Sequence, residues 1–173
     1  MDWLKSSSTG IVLTLVVLVL FFYILEPAFL SPVNIFTMLR ATAYTGIIAV
    51  GMALCLISGM IDLSVGSTAA LASVLFGLSL RDYGFSIPAA VIMALVVGGL
   101  IGALNSFVIL KMKVTPFIAT ISTMFVIRGL AQWAGNGYTV YPLPDGVLQV
   151  GSAKPLGISW AFVIFIALAI LAE

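Results

Sequence analysis

The residues that could do chemistry gather in Ser58-Gly59-Met60-Ile61-Asp62-Leu63-Ser64-Val65-Gly66-Ser67, where one carboxylate stands among glycines and serines between uncharged runs at 41–61 and 63–80. An acid in such a place can accept the free N–H groups that open a helix. Two placements follow from the runs, each close to membrane-spanning length. Asp62 lies at a hairpin between two membrane helices, or at a break inside one, where a carboxylate becomes a site candidate. Further on stand uncharged hydrogen-bonding groups: Asn105, Ser106, Thr120, Thr123, Gln132 and Asn136. Asn105 is either bonded to a neighbouring helix or set on a polar pathway. Hydrogen bonding is the chemistry on offer. The chain has no histidine and no two carboxylates close in sequence, and Ser58, Ser64 and Ser67 lack a base with its orienting partner. There is no Gly-x4-Gly-Lys-Ser/Thr phosphate loop. Enzyme activity, a metal site and a bound cofactor are therefore not expected. The polar groups suit passage of an uncharged, hydroxyl-rich solute, and suit a packed structural bundle almost as well.

The elements that must hold these groups are membrane helices. The chain of 173 residues is 62% hydrophobic and 8% charged, with mean hydropathy +1.28, against about a quarter charged residues in a soluble domain. A net charge of +1 without a basic cluster gives no footprint for nucleic acid. Cys55 is the single cysteine and lies in an apolar run, where it behaves as a small hydrophobe.

The composition predicts an all-α, polytopic helical membrane protein with about six spans, at about 10–25, 41–57, 63–80, 88–110, 114–134 and 159–173. The first run ends in Phe-Phe-Tyr-Ile-Leu-Glu-Pro, which fits a retained anchor better than a cleaved signal. Ser31-Pro32 and Ser86-Ile87-Pro88 are helix starts, with serine as cap and proline in the first turn. Residues 34–40 form a short amphipathic lead-in to the second span. The pairs Gly98/Gly102 and Gly99/Ala103 make a small-residue packing face. Arg128 interrupts the fifth span and either snorkels to the interface or pairs with an acid. Gly135-Asn136-Gly137 ends that helix, and 138–158 is an ordered loop outside the membrane. The last span reaches Glu173 after a short run, so the chain is expected to be cut. Charge does not settle orientation: Lys5, Lys111 and Lys113 fall on one side, and Arg40, Arg81 and Lys154 on the other.

The stretch from Gly51 to Ser67 resembles the signature of bacterial sugar permeases of the ribose/xylose/galactose type, distantly related to branched-chain amino acid permeases. Asn34-Ile35-x-x-Met38-Leu39-Arg40 resembles the family's entry to the second span. Gly102-x-x-Asn105-Ser106, Lys113-Val114-x-Pro116-Phe117-Ile118-Ala119-Thr120 and Thr123-Met124-x-x-x-Arg128-Gly129 follow at the family's spacing. The resemblance implies the membrane subunit of a binding-protein-dependent ABC importer in the bacterial inner membrane. It implies a pair of permease subunits, two ATPase subunits, a periplasmic sugar-binding protein and a monosaccharide substrate. It places the N-terminus in the cytoplasm and makes this chain the N-terminal part of a longer permease bundle, the second half having no counterpart here. Under it, Ser58, Gly59, Asp62, Ser64, Gly66 and Ser67 form the signature break. Asp62 caps and fixes the break, Gly59 and Gly66 permit the bend, and Asn105 and Thr120 line the pathway. Other readings are half of a secondary transporter or channel, and a non-transporting membrane fragment.

Overall fold

The computed structural model describes residues 7–147 and 159–172. Six α-helices account for most of them: α1 (Ser7–Leu25), α2 (Pro32–Ile57), α3 (Val65–Arg81), α4 (Ile87–Leu110), α5 (Pro116–Ala134) and α6 (Trp160–Leu171). A 3-10 turn, Pro27–Leu30, joins α1 to α2. No strand occurs among the described residues. The protein is all-α, as its composition requires.

Proline and serine set several of the helix starts. Ser31 caps α2, its hydroxyl accepting from the Asn34 N–H at 3.3 Å, with Pro32 in the first turn. Ser86 and Thr115 precede α4 and α5 in the same way, though neither side chain makes a cap bond. Ser159 caps α6. The expected lead-in at 34–40 is no separate element. Nothing there stops a helix, so α2 runs unbroken from Pro32 to Ile57, about 39 Å at 1.5 Å per residue. By length and apolar composition α2, α4 and α5 can each cross a membrane, while α1, α3 and α6 offer shorter apolar stretches.

α3 is the hub. It packs along both α4 and α5, which also touch each other. Leu71, Ile101, Ile127 and Ala131 form the buried apolar core of this trio, with Leu75 and Val97 against it. α2 packs mainly on α6 and touches α3 only slightly, and α1 rests chiefly on the 3-10 turn. The α2–α6 contact is close at Gly46, where a Cβ would meet the Phe165 ring at 2.5 Å. The small-residue face of α4 is used less than its pattern predicts. A Cβ at Gly98 would only graze Thr68 at 4.0 Å, and at Gly99 and Gly102 it would meet nothing. Apolar side chains such as Leu95 and Trp133 stand 71% and 79% exposed. Such faces are tolerable in hydrocarbon, where close helix packing rather than water exclusion drives association.

Candidate functional site

α2 ends where its backbone turns left-handed. Gly59 takes φ +73°. The Gly59 N–H donates to Leu56 O at 2.9 Å and the Met60 N–H to Cys55 O at 3.0 Å. This paired closure satisfies carbonyls that a helix end leaves free, and it favours glycine because an L side chain resists positive φ. The bend therefore sits at Gly59. Gly66 lies in the first turn of α3 with open space where a Cβ would go, so nothing in its surroundings demands glycine. Ser58 is exposed and its hydroxyl folds back to donate to Leu54 O at 3.0 Å.

From Asp62 onward the break is held by a chain of side-chain hydrogen bonds. Asp62 Oδ1 accepts from the Ser64 N–H at 2.8 Å and from the Ser64 hydroxyl at 2.6 Å. Asn105 Nδ2, on α4, donates to Ser64 Oγ at 2.9 Å. Thr123, on α5, donates to Asn105 Oδ1 at 2.7 Å. Donation runs one way, from Thr123 through Asn105 and Ser64 to the carboxylate. Thr120 stands one turn earlier on the same face of α5, its Oγ1 at 2.9 Å from Pro116 O and 3.3 Å from Ile61 O. Ser64, Asn105 and Thr120 are 1%, 4% and 1% exposed. Each is satisfied, as buried polar groups must be.

Asp62 thus serves the turn more than the helix. Its carboxylate takes the N–H of Ser64, the residue before α3, and reaches no N–H of the first helical turn. Ser64 makes no cap bond with its own hydroxyl, which donates to Asp62 and accepts from Asn105. Asn105 sits five residues before the end of α4 and Thr120 four after the start of α5. The start of α3 therefore lies about 7 Å inside the ends of its two neighbours. Residues 58–64 complete that side of the trio as an irregular segment, which apolar surroundings tolerate only when its polar groups are met by protein.

Beside this chain runs a groove of about 560 Å³, walled by α3, α5 and the segment 137–143. α5 closes with the same paired bonds as α2: Asn136, at φ +51°, donates to Trp133 O at 3.1 Å and Gly137 to Gln132 O at 2.8 Å. The chain then returns over α3, where a Cβ at Gly77 would come tight against Val140, 3.0 Å from its Cγ1. Arg81 helps hold that return, forming a two-point ion pair with Asp82 at 2.6 and 2.9 Å and donating to Tyr141 O at 3.4 Å. The exposed Asp82 carboxyl is held below its ordinary range by the Arg81 hydrogen bond, with attraction to the same charge adding to it. Of the loop expected at 138–158, residues 148–158 lie outside the described residues.

Ser67 is on the groove wall. It is 4% exposed, and its hydroxyl is the one buried side-chain polar atom among the described residues without a hydrogen-bond partner. Arg128 and Gln132 stand on the α5 side. Arg128 is about 18 Å along α5 from its first residue, and no carboxylate pairs with it among the described residues. At the centre of a membrane helix facing lipid such a residue would cost about 2.5–3.5 kcal/mol, so the groove is the better place for it. Asn105 and Thr120 are not on the groove wall. They join α4, α5 and the break instead. Asn105 is bonded to neighbours on both sides, Ser64 and Thr123. The groove was hidden because the return of 137–143 onto α3 cannot be read locally. The one available signal was Arg128 with Gln132, four residues apart on one helix face. Among the described residues no cluster of acids, histidines and cysteines could hold a metal.

Residues 34–173 match the family profile described as branched-chain amino acid transport system / permease component. The chain is 38% identical over 140 residues to the xylose transport system permease protein XylH of Escherichia coli K12, covering 80% of this chain and 36% of that protein. It is 39% identical over 151 residues to the ribose import permease protein RbsC of Bacillus subtilis 168, covering 86% and 47%. With the autoinducer 2 import system permease protein LsrC of Enterobacter sp. 638 it shares 31% over 136 residues, covering 78% and 39%. The chain thus spans less than half the length of these relatives. No solved structure matches it at a significant level.

Proposed function

The chain belongs to the branched-chain amino acid transport system permease-component family, and from that premise we propose that it is membrane-embedded permease sequence of a binding-protein-dependent ABC importer for a monosaccharide. The observation that carries the reading is the 38–39% identity to permeases named for xylose and ribose. The signature at 58–67 supports it, because its acid, serine and glycine are the residues that build the break. The permease itself makes and breaks no bond. It offers polar groups held by the satisfied network of Ser64, Asn105 and Thr123, and the work comes from ATPase subunits on the cytoplasmic side.

In this reading two permease subunits face each other across one pathway in the bacterial inner membrane, with the N-terminus inside. A periplasmic binding protein delivers the sugar, and ATP-driven closure of the ATPase pair switches the permeases between outward- and inward-facing forms. The described residues supply the α3–α5 trio of that bundle, and its remaining length corresponds to the part of the relatives this chain does not span. Asn105 and Thr120 act as positioning residues that hold the wall from behind.

The test is uptake of labelled D-xylose and D-ribose by cells lacking their own pentose permeases. They would express this chain with the ATPase and binding protein of its own transport system. Uptake that survives a protonophore but stops with an ATPase-inactive partner supports the reading. Uptake that follows the proton gradient, or none with the ATPase bound, overturns it.

A further inference from the structure

We propose that the groove between α3, α5 and segment 137–143 is itself a binding site for a neutral, hydroxyl-rich solute of monosaccharide size. The inference rests on the transport reading and goes beyond it by placing the solute inside one subunit, against named residues.

The groove's volume of about 560 Å³ falls within the about 300–1,000 Å³ common to small-molecule sites. Its wall carries donors without a matching set of internal acceptors. Ser67 supplies a buried hydroxyl with no partner among the described residues. Arg128 supplies a planar fork of N–H groups, and Gln132 an amide that both donates and accepts. Tyr138 and Thr139 add hydroxyls from the returning segment. Apolar Val74, Ala131 and Leu143 share the wall, a mixture that suits a sugar ring with its C–H face and its ring of hydroxyls. No carboxylate lines the groove, so a cationic solute finds no counter-charge. Being near the start of α3, Ser67 also lies where the helix field favours electron-rich oxygen.

The experiment uses the whole chain in lipid nanodiscs, with Cys55→Ser as background and single cysteines introduced by Ser67→Cys or Gln132→Cys. The rate of modification by a small hydrophilic thiol reagent is measured with D-ribose, D-xylose or gluconate present. Ser122→Cys, on α5 but off the groove, serves as the control. The expected result is that saturating D-ribose or D-xylose slows labelling at Gln132→Cys by about fivefold or more, with the control unchanged. Ser67→Cys should follow if it folds, and Gln132→Cys decides the matter if it does not. Equal rates with and without either pentose overturn the site, as does protection by gluconate alone, which would mark an anion site. ATP-driven pentose uptake without protection removes this site and leaves the transport reading. Protection without uptake removes the transport reading and leaves the site.

Discussion

At the scale of single residues, Asp62 is an acceptor before it is a charge. Both bonds that define it end on Oδ1, and an amide oxygen can take the same two hydrogens. Asp62→Asn is therefore expected to keep the folded yield and thermal midpoint of the detergent-purified chain close to the parent. Asp62→Ala, which strands Ser64, should cost about 1–3 kcal/mol. Equal losses from both variants would show that the negative charge carries the role. Asn105 has more to lose, because it accepts from Thr123 and donates to Ser64. Asn105→Leu is expected to destabilise more than Thr123→Val, and the double variant to fall well short of the sum, since the two residues share one network. Full additivity in thermal unfolding would refute the shared chain. The sequence announces Asp62 and Asn105 as unusual by their apolar surroundings. It does not announce that they meet through Ser64, because Ser64 and Asn105 are 41 positions apart.

At the scale of elements, the most legible features are those written in neighbouring residues. Ser31-Pro32 starts α2 where local chemistry says it should, and Gly135-Asn136-Gly137 ends α5 by the expected closure. Features that depend on what lies opposite are not legible: the same pattern of small residues is tightly packed at Gly46 and open at Gly99. Gly46→Leu should therefore loosen α6 from α2, costing about 1–3 kcal/mol. Adding Phe165→Ala should recover part of the loss in the same thermal assay. Gly59→Ala is expected to cost about 1–2 kcal/mol from backbone strain alone, whereas Gly66→Ala should be neutral or mildly stabilising. The Arg81–Asp82 pair gives an element its pH dependence. Because the folded carboxyl is held low, its small stabilisation is complete above the ordinary carboxylate range and disappears as pH falls through the folded value. Parent and Asp82→Asn chains should differ slightly near neutrality and converge in acid when thermal midpoints are compared.

At the scale of the whole molecule, the membrane class was open to inspection in composition, while the division of labour among helices was not. Six apolar runs look alike in a hydropathy reading. The structure sorts them into a trio around α3, a pair formed by α2 and α6, and α1 held mainly by a 3-10 turn. Amide exchange in nanodiscs should show the same sorting, with α3, α4 and α5 slowest as one unit and α1 faster despite its apolar sequence. Protection of α1 equal to that of α3 would contradict it. The one-way hydrogen-bond chain then acquires a kinematic meaning. Sliding α3 along α4 breaks the Asn105–Ser64 link and sliding α4 along α5 breaks the Thr123–Asn105 link, so the chain ties those three helices to travel as one body. Between that body and the α2–α6 pair there is little contact among the described residues, and residues 58–63 are the shorter of the two covalent links, the other running from α5 to α6. If the bundle changes shape, the left-handed corner at Gly59 is its axle, and the carboxylate three residues on is the pin that keeps the wheel attached.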